Sequence, residues 1–233
     1  MNETIEQYKI IRSARRKTAA IQVDENGVSI RVPLWVTDQW IEDWVAKKQV
    51  WISHQQAVMS QNLKMFCLKT EKGAPFPFLG NEYFLDWCDG KRWDVVLEGD
   101  RLLVIVGKRR SSRKSDSERV EAYLKKWLKK QAEELISERI SYWAQKKGVQ
   151  YNSLKFKDFK RRWGSCSALG EITFNWRLVF ADKSIIDYVV IHELSHLTHL
   201  NHSPEFWALV EKYCPDWKVR RSYLQTKNAW VLW

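Results

Sequence analysis

Four of the five histidines in this 233-residue chain fall between positions 192 and 202, and two of them close the run His192-Glu193-Leu194-Ser195-His196. On an α-helix, residues four apart sit about 40° around the axis and about 6 Å along it. His192 and His196 therefore point two imidazoles the same way, at a spacing that one zinc ion can use. Glu193 lies beside that face, where a carboxylate reaches a water on the ion without being a ligand, which is the place of a general base. Such a site requires a helix with apolar flanks. Ser184 and Asp187 supply an S-x-x-D capping pattern ahead of the apolar run Tyr188 to Ile191, so the helix is expected to begin near Ser184.

A catalytic zinc ion keeps three protein ligands and one open place, so the third ligand must come from outside this helical turn. Asn201 is a good terminator, and Ser203-Pro204-Glu205 reads as the cap and first turn of a following helix. His202 then sits in the turn between two helices and can swing back, completing the pattern H-E-x-x-H-x5-H. His199 competes, but three ligands along one straight helix make a poor tetrahedron, and His202 is preferred. His54 stands alone on another amphipathic segment and reads as a surface residue.

Composition narrows the setting. The chain is 45% hydrophobic and 29% charged, with 9 Gly and 5 Pro, which excludes collagen-like and low-complexity chains. No stretch approaches the roughly 18 apolar residues that cross a bilayer, and the first residues lack the apolar centre of a secretion signal, so a cytoplasmic protein without membrane partners is expected. Cys67, Cys88, Cys166 and Cys214 show no CxxC spacing and read as reduced, mostly buried thiols. The net charge of +11 makes nucleotides, nucleic acid or acidic surfaces plausible partners. Of the 14 Trp, those at 40, 44 and 51 read as one buried helix face.

The pattern of elements predicts an α+β chain. Residues 1–107 read as a β-rich region with one helix: a hairpin from Ala19–Val23 and Val28–Val32, a helix from Thr37 to about Met59, a loop at Gly73–Gly80, and strands at Tyr83–Trp87, Trp93–Leu97 and Leu102–Val106. The polar run 108–117 is a candidate joint. Residues 118–233 open with a long amphipathic helix, Glu118–Lys147. Strands at Leu154–Phe159 and Glu171–Phe174 then bracket RRWGSCSALG, which reads as packing and turning the chain beneath the site.

The runs RRWGSCSALGEITFNWRLVF and DYVVIHELSHLTHLNHSPEFWALVEKYCPDWKVRRSYL, with RSARRKTAAIQVDENGVSIRVP near the start, resemble the YgjP-like metallopeptidase family, relatives of the SprT-like and WLM zinc proteases of gluzincin type. The resemblance is close from about Arg161 to Leu224. It implies one zinc ion per chain held by His192, His196 and His202, Glu193 as base, and a zincin-like core with a twisted sheet packed on the HExxH helix. It also implies that the strand Glu171–Asn175 forms the cleft rim to which a peptide or protein substrate adds. A ligand role for Cys166 is a minor alternative. Tyr213, Tyr223, Arg220 and Arg221 are unranked candidates for stabilising an oxyanion.

Zinc-dependent peptide hydrolysis is the expected activity. A metal-dependent nucleoside triphosphate (UTP-type) pyrophosphohydrolase is the alternative that the positive charge favours, although phosphoanhydride sites commonly use carboxylate-bound Mg²⁺. A nucleic-acid-associated protease or binding module is the third expectation.

Overall fold

A turn residue that accepts positive φ, followed by alternating apolar residues, folds the start of the chain on itself. The computed structural model describes residues 7–24, 27–66, 68–108, 115–159 and 162–226. Its contacts divide the chain into two compact units, 1–67 and 68–233.

In the first unit, β2 (Ala20–Asp24) and β3 (Gly27–Pro33) form the expected antiparallel hairpin, closed at Asp24↔Gly27. A strand absent from the sequence reading, β1 (Lys9–Ser13), pairs in parallel with β3, giving the order β1-β3-β2. Its sequence KIIRS does not alternate, which removes the period-2 signal. Helix α1 (Asp38–Phe66) starts where expected, with the Thr37 hydroxyl accepting from the Trp40 amide at 3.3 Å. Its buried face is Ile41, Val45 and Ile52, packed with Ile30 and Val32. The expected tryptophan face is corrected: Trp40 and Trp51 are each 45% exposed and Trp44 is half-buried. The two stripes have the same spacing one residue apart, so they lie about 100° from each other around the helix, and the aliphatic one faces the sheet.

The second unit opens with a four-stranded sheet of order β4-β5-β7-β6, from β4 (Pro75–Phe78), β5 (Asn81–Gly90), β6 (Asp94–Glu98) and β7 (Arg101–Gly107). The loop expected at Gly73–Gly80 instead holds β4, because an edge strand tolerates Pro75 and Pro77 on its unpaired side. Leu79 and Gly80 both have positive φ, as a two-residue hairpin turn requires. Their amides donate to the carbonyls of Val179 and Phe180 at 2.8 and 3.3 Å, docking the hairpin tip on the 3-10 turn Trp176–Phe180.

Phe76 against Phe180, Phe78 against Trp127 and Trp93 against Tyr123 continue that packing. These contacts hold the β4–β7 sheet in the same unit as the following helices. The contact division falls at 67, and residues 109–114 of the polar run 108–117 lie outside the described residues.

Helix α2 (Asp116–Lys147) carries a full capping box between Ser115 and Glu118 and ends on Gly148 in the left-handed region. A second sheet follows, of order β8-β10-β9, from β8 (Ser153–Lys157), β9 (Gly164–Cys166) and β10 (Glu171–Asn175). Then come α3 (Lys183–Ser195), α4 (Pro204–Tyr213) and α5 (Trp217–Thr226). The architecture is a mixed α+β fold.

Two bridges fasten α2 to α3. Arg139 grips Asp187 with two bonds, Nε–Oδ1 at 2.6 Å and Nη2–Oδ2 at 2.8 Å, and Lys147 Nζ reaches Ser195 Oγ at 3.0 Å. The second bridge lies eight residues beyond the first in both helices, so the two run side by side in the same direction. No helix among the described residues is long and apolar enough to cross a membrane.

Candidate metal centre

Helix α3 begins at Lys183, next to the expected start near Ser184. Asp182, not Ser184, is the N-cap, its carboxylate accepting from the Ser184 amide at 2.7 Å. Aspartate two residues ahead of a helical amide competes well with the S-x-x-D pattern. The helix stops at Ser195, leaving His196 at its C-cap, and residues 196–198 form a turn. Ser203 then caps α4, accepting from Phe206 N with Pro204 in the first turn, as the sequence indicates.

This break brings His202 back over the α3 face. One ring nitrogen each of His192, His196 and His202 lies within 4.8 Å of the other two, and these three make a group that could hold a metal ion. His199 and Cys166 do not belong to that group. His199 takes another part: its carbonyl lies 3.1 Å from His196 Nδ1. A proton on Nδ1 satisfies that carbonyl and leaves the Nε2 lone pair of His196 free.

The donor set fits a divalent ion. His192 Nε2 and His202 Nε2 face each other at 3.1 Å, close to the roughly 3.3 Å that two ~2.05 Å bonds at a tetrahedral angle imply. Burial lowers the pKa of all three, that of His192 to about 3, so each imidazole is neutral near pH 7 with a lone pair to give. Neutral imidazoles suit zinc among the available divalent ions.

Glu193 is 5% exposed, and burial pushes its carboxyl up to about 8 against a small opposing pull from Arg162. It packs on β9: a Cβ added to Gly164 would meet Glu193 Oε1 at 2.5 Å and Cγ at 2.8 Å. Glycine at 164 is therefore what lets the carboxylate stand beside the imidazoles. The thiol of Cys166, also close by, is pushed up to about 11 by burial and by Glu193.

The second sheet corrects the expected rim. Strand β10 is paired on both sides, in parallel with β8 and antiparallel with β9, so no peptide can add to it. Strands β8 and β9 are the edges of this sheet among the described residues, and β9 is the one that packs on Glu193. Trp163 O accepts from Asn175 N, and Ser167 N donates to Glu171 O. Main-chain groups alternate along a strand, so those of Gly164 and Cys166 point away from β10 toward the open side.

Asn175, fully buried, fixes the approach to β9. Its Nδ2 donates to the carbonyls of Phe159 and Arg162, and its Oδ1 accepts from Arg177 N.

A cavity of about 250 Å³ adjoins the imidazoles, lined by Trp163, Gly164, Tyr188, His192, Glu193 and Arg221 among others. Tyr188 escaped the sequence reading, although its position one turn before His192 placed it on the motif face. Burial holds its phenol near 12.

The four downstream candidates separate. Arg220 bonds Asp216 at 2.9 Å and the Ser184 carbonyl at 2.5 Å, and Tyr213 lies under Lys147. Tyr223 does not line the cavity; Arg221 does.

The family model described as YgjP-like, metallopeptidase domain matches residues 17–227. The chain belongs to the YgjP-like family. Among solved structures, the metallopeptidase zymogen of Pyrococcus abyssi abylysin is similar at 26% identity, over 40% of this chain and 93% of that one, with a TM-score of 0.37. No curated protein matches the chain. Membership of the YgjP-like family makes this a metallopeptidase-type chain with a metal requirement.

Cys88 and Cys214 do not belong to the imidazole group. Cys88 is exposed and Cys214 buried, so burial of cysteine is less general than composition suggested, and Cys67 lies outside the described residues. Lys155 pairs with Glu171 at 2.8 Å, and positions 160 and 161 lie outside the described residues.

Proposed function

We propose that the chain is a zinc peptidase of the HExxH-x5-H type, with one ion held by His192, His196 and His202 and Glu193 as general base. The observation that carries this is the approach of three neutral imidazole nitrogens within 4.8 Å of one another, next to the buried carboxyl group of Glu193. When bound, zinc supplies electrophilic activation of a water and of the scissile carbonyl. Everything else is assigned to side chains and backbone of this chain.

An extended peptide adds as a strand to β9, hydrogen-bonding the outward main-chain groups of Gly164 and Cys166. That alignment sets the peptide's carbonyls beside Glu193, whose carboxylate already packs on Gly164. Glu193, whose carboxyl a cation bound at the neighbouring imidazoles would hold ionised, takes a proton from the attacking water and passes it to the departing amine. Tyr188, still protonated across the physiological range, offers a neutral donor in the adjoining cavity.

Purified protein incubated with casein and, separately, with UTP, each with zinc, magnesium or chelator, tests this reading. Casein cleavage that needs zinc and disappears in Glu193→Gln, which retains the ion, is expected. Hydrolysis of UTP with casein untouched would overturn it in favour of a phosphohydrolase.

A further inference from the structure

Resting on the peptidase reading above, a second question is what part of a substrate the cavity beside the imidazoles receives. Glu193 and His192 line the cavity, and α5 contributes Arg221, Leu224 and Gln225 to its wall. Apart from Glu193, which is buried against Gly164, no carboxylate of the described residues lines it.

Arg221 is the unusual member. Its neighbour Arg220 is consumed by Asp216 and by the Ser184 carbonyl. Arg221 has no ion-pair partner among the described residues, and its charge is felt instead by His192, His202 and Tyr188. Its guanidinium carbon lies 5.1 Å from the centre of the Trp207 ring, and Trp207 in turn stacks on Trp217 at 4.1 Å and 15°. The same Trp207 ring stacks on His202 at 5.5 Å and 28°. One aromatic platform therefore holds both an imidazole of the centre and the guanidinium.

A planar fork of donors held on a ring keeps its charge and loses little rotamer freedom when it binds, which is the arrangement that recognises carboxylates. A cavity wall carrying such a fork with no ion-pair partner among the described residues is complementary to an anion brought by the ligand. A peptide has two sources of one: an acidic side chain or its own C-terminal carboxylate.

We propose that Arg221 is the specificity-determining residue of this cleft and that it binds a carboxylate of the peptide substrate within the cavity next to Glu193. A lysine side chain in the same place meets a like charge and is disfavoured.

The test uses Ala/Gly octapeptides blocked at the N-terminus and amidated at the C-terminus, with one Glu, Gln or Lys placed at each position in turn. A neutral octapeptide with a free C-terminal carboxylate completes the set. Affinity is read by titration calorimetry on full-length Glu193→Gln protein, where no turnover intervenes, and cleavage is read separately with wild-type protein by mass spectrometry. A charge-assisted bond in a sheltered site predicts roughly 10- to 100-fold tighter binding of one carboxylate-bearing peptide than of its Gln or amide counterpart. Adding Arg221→Ala should bring that ratio near one, and Arg221→Lys should restore part of it.

Preference for Glu at one position identifies a side-chain subsite, and preference for the free terminus identifies a terminal one. Equal affinity of acidic and neutral peptides, or a ratio unchanged by Arg221→Ala, overturns the proposal. Binding that discriminates without any cleavage by the wild type would leave the Arg221 subsite standing and remove the peptidase reading instead.

Discussion

Substituting Gly164 by alanine tests the geometry of the centre without touching a ligand. The added Cβ would stand 2.5 Å from Glu193 Oε1, 2.8 Å from Cγ and 2.9 Å from Cδ. Non-bonded heavy atoms settle near ~3.5 Å, so the carboxylate must withdraw by about 1 Å. Withdrawal takes it off β9 and away from its place beside the imidazoles. Overpacking of this kind costs about 1–3 kcal/mol of stability. That corresponds to a fall in Tm of several degrees, at roughly 2–4 °C per kcal/mol for a unit this size.

The catalytic loss should be larger. A misplacement of about 1 Å in a reacting group lowers rate on the order of 100-fold. Since the imidazoles are unaffected, Gly164→Ala should keep one equivalent of zinc by mass spectrometry, remain folded by circular dichroism, and lose about two orders of magnitude in kcat on casein. A Gly164→Ala protein with wild-type kcat would refute the role given to the Glu193–Gly164 contact.

Other outcomes follow from the same structure. Gly80→Ala places a Cβ 2.8 Å from the Asp182 backbone at a φ of +80°, so it should destabilise the unit by at least about 2 kcal/mol in urea titration. Asn175→Asp removes both donors to the Phe159 and Arg162 carbonyls and buries an anion, so a loss of about 2–4 kcal/mol is expected, with kcat reduced as β9 loosens. In metal-free protein, the raised Glu193 carboxyl means that the folded state holds a proton the unfolded chain has released. Stability should therefore fall as pH rises from about 4.5 to 8, and Glu193→Gln should abolish that component. The difference between the two proteins should grow by on the order of 3 kcal/mol between pH 5 and 7.5, measured by urea titration. The histidines act oppositely: lowered in the fold, they make stability rise as pH increases from about 3 to 6.5 in both proteins.

The grouping of His192, His196 and His202 was legible because every part of it is short-range. Histidines four apart need only a helix, and Ser203-Pro204 needs only the start of another, so the return of His202 could be read from sequence. What could not be read depends on partners distant along the chain. Strand β9 is three residues long and has no pattern of its own; pairing with β10 creates it, and that pairing moves the open edge from Glu171–Asn175 to Gly164–Cys166. Pro75 and Pro77 look like loop residues until an edge position excuses their missing amides. The tryptophans of α1 share the spacing of the aliphatic stripe, and only the sheet beneath decides which one is buried. Arg220 and Arg221 are adjacent and chemically alike; the Asp216 carboxylate and the Trp207 ring separate a structural arginine from one facing the cavity.

The central claim is that three particular imidazoles hold one ion. Titrating metal-free protein with Co²⁺ and reading the visible ligand-field bands, alongside zinc analysis, measures it directly. One equivalent should bind with the intensity of a four-coordinate site. His192→Ala, His196→Ala and His202→Ala should each weaken binding by at least about 100-fold, while His199→Ala should still bind one equivalent. Retention of full affinity in His202→Ala, or its loss in His199→Ala alone, would contradict the account.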